Sequence, residues 1–116
     1  MNEPQTLEGL KQELRRGSLV LGVLAALRTE RYGYTLRETL AKSGIEIDEG
    51  PLYPMLRRLE AQGLLSSEWR EEGKRNKRFY VLSHSGVEMI RVLEKEWRQM
   101  NGALENLLKE KTHEPA

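Results

Sequence analysis

The chain has 116 residues, 38% of them apolar and 32% charged, which suits a single domain with one small core. With 19 basic against 18 acidic residues the net charge is +1, so nucleic-acid affinity has to be sought in how the charge is distributed. The lack of cysteine excludes disulfides and thiolate metal sites. The start, MNEPQTLEGL, lacks a signal-peptide layout, and the longest nearly apolar run, Leu19 to Leu27, is far short of the ~20 residues that cross a bilayer, so a cytoplasmic protein is expected.

A first helix is predicted from about Thr6 to Arg31. Leu7, Leu10, Leu14, Leu21 and Leu24 recur at steps of three and four and share one face. Gly17 and Gly22 interrupt it, a cost that close packing would explain. Its second half is apolar nearly all round and belongs in a core, whereas the first half is striped and needs another surface. Tyr32-Gly33-Tyr34 should end the helix, with Gly33 in the left-handed conformation. Thr35 with Glu38 reads as a capping box for a short second helix ending near Gly44, and Ile45 and Ile47 suit a brief extended piece.

The stretch EGPLYPMLRRLEAQGLL, residues 49–65, opens on two prolines. A first helical turn leaves its amide hydrogens unpaired, so proline is tolerated there, and Pro51 marks a helix start with Asp48 or Gly50 as cap. Leu52, Met55, Leu56 and Leu59 form its buried stripe, and Gly63 closes it. The period then changes to two. Leu65 to Trp69 and Phe79 to Ser83 read as strands around the polar turn EEGKRNK, which is a β-hairpin. Ser83 or Ser85 caps a last helix running to about Lys109, and the tail KTHEPA should fray. The expected fold is mainly α with a small β-hairpin. It is a winged helix-turn-helix DNA-binding domain over residues 1–83, followed by a C-terminal dimerisation helix over residues 84–112. In such motifs the later helix enters the major groove front end first, and the prolines, Pro51 foremost, give that front an abrupt start.

Residues 70–78 hold five cations, Arg70, Lys74, Arg75, Lys77 and Arg78, against two acids. A basic hairpin of this kind reaches phosphates and releases counterions, giving salt-dependent, sequence-blind affinity, although a solvated turn would look similar. Arg57 and Arg58 are candidates for a base edge or a phosphate. Glu60 is placed for a weak helical ion pair with Arg57, and the plainer reading of both is a solvated arginine. Tyr53 could donate to a phosphate or serve as a half-buried packing ring. Lys11, Arg15 and Arg16 make a further basic patch on the first helix, while Asp48 and Glu49 would repel phosphates. Ile90, Leu93, Trp97, Met100, Leu104 and Leu107 follow a coiled-coil spacing that so small a domain could hardly bury. A homodimer is inferred, with this seam against the partner's last helix and the outer half of its first helix, Leu7, Leu10 and Leu14. Paired indoles at Trp97 could sandwich a planar aromatic cation, or Trp97 could be interface core. Catalysis finds no support: His84 and His113 lie far apart, no metal spacing is present, and neither a phosphate-cradling glycine loop nor a nucleophile elbow occurs. No cofactor is expected.

GSLVLGVLAAL (17–27), YGYTL (32–36), EGPLYPMLRRLEAQGLL (49–65), SSEW (66–69) and RFYVLSHSG (78–86) together resemble the short form of the PadR family of bacterial transcriptional regulators. The resemblance implies a homodimeric winged helix, usually a repressor on a palindromic operator. It implies DNA contacts by Tyr53 and its neighbours on the third helix, and phosphate contacts by the wing cations and by Tyr34 or the first helix. In some members a dimer pocket lined by a tryptophan of the last helix takes planar drugs or phenolic compounds, and Trp97 sits in about that region. Two features depart from the pattern: Pro51 stands where the family often has threonine, and the last helix is single and short. The rival expectation is a winged-helix protein-interaction module that does not touch DNA.

Overall fold

The computed structural model describes residues 3–110. The expected fraying of the tail, and the outer ends of both expected domains, residues 1–2 and 111–112, lie outside those residues. Helix α1 (Glu3–Ala26) leads into a two-residue strand β1 (Arg31–Tyr32), then α2 (Gly33–Lys42) and α3 (Glu49–Ala61). Strands β2 (Leu65–Glu72) and β3 (Arg75–Leu82) form the hairpin, and α4 (His84–Lys109) completes the chain.

Helix α1 stops about five residues before the expected Arg31. Leu27 donates to the Val23 and Leu24 carbonyls, Arg28 turns back to Ala25, and the Arg31 guanidinium donates to the Ala26 carbonyl at 2.9 Å. That frees Arg31 and Tyr32 to pair antiparallel with Tyr80 and Phe79. The expected hairpin is therefore a three-stranded sheet of order β1-β3-β2. Gly33 is not a left-handed stop: positive φ is confined to Gly44, Gly63 and Gly73 among the described residues, and Gly33 begins α2. Thr35 is not the cap either. Tyr32 holds that position, and the Thr35 hydroxyl accepts from its amide at 3.1 Å and donates to its carbonyl at 3.0 Å. Residues 45–48 carry no strand.

Helices α2 and α3 end alike. Gly44 and Gly63, at φ +93° and +81°, let Ile45 and Leu64 donate back to Leu40 and Leu59, at 2.8 and 3.0 Å. Asp48 caps α3 by backbone position alone, so Pro51 stands third in the helix and Pro54 within it. The core gathers Val23 and Leu24 of α1 with Leu27 just past its end, Leu36 and Leu40 of α2, Leu52, Leu56 and Leu59 of α3, the sheet residues Leu65, Tyr80 and Leu82, and Ile90 of α4. Gly22 lies against the Ile45 side chain, as close packing predicts, whereas Gly17 has no neighbour there. Ser83 resolves the choice of cap for α4: its hydroxyl accepts from Gly86 at 3.0 Å and donates to Gly63 at 2.5 Å, joining the new helix to the end of α3.

Candidate nucleic-acid interface

Helix α3 lies on one face of the sheet. In the hairpin register Leu65, Ser67 and Trp69 stand opposite Leu82, Tyr80 and Arg78, and directly paired residues share a face. Glu60, in the last turn of α3, accepts from the Ser67 hydroxyl at 2.6 Å and from Arg78 at 3.5 Å, while Arg78 also donates to Ser67 at 2.9 Å. The expected Arg57–Glu60 pair is replaced by this triad, which leaves Arg57 and Arg58 exposed and with no ion pair among the described residues. The Arg78 guanidinium lies over the Trp69 and Tyr80 rings, at 5.4 and 5.9 Å.

The other wing cations divide by face. Lys77 is on the side away from α3, with its ammonium 4.3 Å from the Tyr32 ring centre and 3.3 Å from Glu72. The Tyr32 hydroxyl first, and Glu72 second, hold its pKa above the ordinary lysine value. Arg70 sits on the same side and lies over Phe79, and its pairing with Glu30 at 2.5 Å first, and with Glu68 second, drives its pKa upward. The hairpin turns on Gly73 and Lys74 alone. Only the first of these has positive φ, at +69°, as a type II′ turn requires. At this tip Lys74 and Arg75 are exposed and unpaired among the described residues. Three of the five wing cations are thus committed internally, and the two at the tip are free for a phosphate.

Tyr53 is half-buried. A methyl at Gly33 would overlap its hydroxyl, so the missing side chain there lets α3 seat this ring against the start of α2. Tyr34, 62% exposed, stacks on Tyr32 at 6.5 Å. At the front of α3 Pro51 is exposed, and Glu49 is neutralised by Arg37 at 3.0 Å, which blunts the repulsion expected from the acidic pair. Arg16 is exposed on α1. Trp69, which the sequence reading did not single out, is 63% exposed on the wing, and its alternation with Leu65 and Ser67 was the available clue to its face.

The outer halves of α1 and α4 carry the remaining apolar surface. Leu7, Leu10, Leu14, Met100 and Leu107 are each more than half exposed, and Trp97 and Leu104 are at 43%. Leu14, Gly17, Leu21, Trp97, Met100 and Leu104 line an open groove between the two helices. The expected seam divides: Ile90 is buried and Leu93 is half-buried, both against the protomer's own core. Among the described residues no group of three His, Asp or Glu side chains could hold a metal, and no helix is long and apolar enough to cross a membrane.

This arrangement, a helix-turn-helix followed by a basic-tipped hairpin, meets its counterpart among known proteins. Residues 20–92 match the model of the "Transcriptional regulator PadR-like family". The chain belongs to that family. The PadR assignment covers the helix-turn-helix, the wing and the start of α4. The transcriptional regulator Rv3488 of Mycobacterium tuberculosis is 36% identical over 96 residues, spanning 78% of this chain and 90% of the relative. A PadR family regulator from Eggerthella lenta superposes with a TM-score of 0.86 at 39% identity, over 93% of this chain and 96% of the other. A PadR-like factor from Bacteroides fragilis gives 0.72 at 28% identity, over 85% and 98%. PadR proteins are DNA-binding regulators of transcription and not enzymes, so membership settles the functional class and turns against the interaction-module alternative.

Proposed function

We propose that this PadR regulator is a cytoplasmic homodimeric repressor of a palindromic operator. Residues 1–83 bind DNA and residues 84–112 dimerise. Helix α3 enters the major groove with Pro51 and Tyr53 at its front, and Arg57 and Arg58 along it. The wing supplies Lys74 and Arg75 to phosphates, with Lys77 and Arg78 behind them, and Tyr34 and Arg16 meet the flanking backbone. The observation that carries this reading is the pair of exposed arginines on α3 together with two exposed cations at the wing tip, none with an internal anion among the described residues. Cations left unpaired in the free protein release phosphate counterions without first giving up an internal partner.

Dimerisation places Leu7, Leu10, Leu14, Ile90, Leu93, Trp97, Met100, Leu104 and Leu107 at or beside the two-fold interface. The groove beside Trp97 also suits a planar aromatic effector, with Glu13 and Glu96 on its rim to attract a cation. Binding there releases the operator by changing how the two subunits are set.

Selection of bound sequences from genomic fragments, followed by gel shift, tests the proposal. A discrete complex on an inverted repeat is expected, and one no tighter than on random duplex overturns specific repression. In the Lys74→Ala, Arg75→Ala double variant every duplex should weaken alike. The slope of log affinity against log salt should shrink by about 1.8, twice the ~0.9 of one phosphate contact.

A further inference from the structure

The wing carries a large aromatic side chain that a folded protomer gains nothing by exposing. Trp69 is 63% exposed, yet it is not loosely held. It stands opposite Arg78 in the hairpin register, and the Arg78 guanidinium lies 5.4 Å from its ring centre. That guanidinium is fixed in turn by Ser67 at 2.9 Å and by Glu60 of α3 at 3.5 Å. The indole therefore projects from the sheet face on which α3 lies, between the exposed Arg57 and the cationic wing tip. An indole offers a flat apolar face and one N–H donor. Deoxyribose offers C–H surface, and the phosphate beside it offers an acceptor. Arg57 on the helix and Lys74 in the turn favour a polyanion as the occupant of the space between them, while Arg75, opposite Glu72 in the register, extends the cationic tip on the other face of the wing.

We infer that Trp69 contacts the sugar–phosphate backbone of the DNA strand running between α3 and the wing, and that Arg78 is a positioning residue holding the indole and the wing at a fixed angle to α3. The inference rests on the DNA-binding reading above and deepens it. Arg78 then acts on DNA through Trp69, not as a phosphate clamp. Its planar fork serves Ser67 and Glu60 together, a task that a lysine ammonium cannot copy.

The test uses the full chain with Trp97→Phe, which leaves Trp69 as the sole indole, and a mixed-sequence duplex at low salt, because a backbone contact is sequence-blind. Addition of duplex should quench or shift the Trp69 emission. Trp69→Ala should weaken binding about tenfold with the salt slope unchanged, since no charge is lost. Glu60→Gln separates the two roles of Arg78. If Arg78 clamps phosphate, removing its internal anion tightens binding. If Arg78 positions Trp69, Glu60→Gln weakens binding and alters Trp69 emission in the free protein, and Arg78→Lys fails to restore affinity. Silent Trp69 emission on a duplex that the protein does bind overturns the inference and leaves the DNA-binding reading standing, and so does a Trp69→Ala variant of native affinity. Tighter binding by Glu60→Gln overturns the role given to Arg78. Absence of any duplex binding by the unaltered protein overturns both readings.

Discussion

Tyr80 shows how one side chain can serve both core and site. Its ring is almost fully buried among Leu65, Leu82 and the α3 leucines, while Arg78 lies over it and Arg57 is near its hydroxyl. Burial, the largest influence, raises its pKa above the ordinary tyrosine value, against the opposing pull of Arg78. Lys77 is likewise raised, chiefly by the Tyr32 hydroxyl. Both groups hold their protons more tightly folded than unfolded. Their contribution is therefore complete below the unfolded values, about pH 10, and is lost as pH rises through the higher folded values. Urea midpoints should fall between about pH 8 and about pH 11, and Tyr80→Phe should make that fall shallower. An equal fall in the variant would show that Tyr80 ionisation is not coupled to folding.

At the scale of elements, legibility followed the range of the interaction. The long helices, the glycine ends at Gly44 and Gly63 and the hairpin were written in local pattern, because helix periodicity and left-handed glycine are short-range effects. Strand β1 was not legible. Two residues, Arg31 and Tyr32, have no period of their own, and their pairing partners lie almost fifty residues away. Missing that strand also displaced the end of α1 and the cap of α2. In the site, the density of wing cations was legible, but their fate was not. Whether an arginine faces a phosphate or a glutamate depends on Glu30 and Glu60, brought to the wing by tertiary structure. Helix α4 joins the sheet at a contact equally hidden in the sequence. A methyl on Gly86 would collide with the Leu64 carbonyl oxygen, which accepts from the Ser83 amide at 3.0 Å. This neighbour is backbone and cannot swing aside. Gly86→Ala should therefore cost about 1–3 kcal/mol by overpacking, read as a lower urea midpoint with unchanged slope. A midpoint equal to that of the unaltered protein would mean that the helix start shifts freely.

The described residues are far more extended than a compact domain of this size. Their radius of gyration is 17.8 Å and their extents are 69 × 35 × 24 Å, against about 13 Å for a compact domain of this length. The excess lies in two arms, the outer halves of α1 and α4, whose apolar residues are exposed just where the core ends. Leu93 is a poor place to probe the proposed dimer, because it also serves the protomer's core. Met100 and Leu107, at 63% and 66% exposure, lie beyond that core. Met100→Asp with Leu107→Asp should leave the winged helix folded by circular dichroism and yield monomers in sedimentation. The consequence for DNA follows from geometry: two α3 helices about 34–36 Å apart engage both half-sites only while the subunits are joined. The monomeric variant should keep its affinity for a duplex holding one half-site, and lose most of its advantage on a duplex holding two. A variant that stays dimeric removes the arms from the interface. A monomer that still prefers the double site would mean that DNA, and not the arms, brings the subunits together.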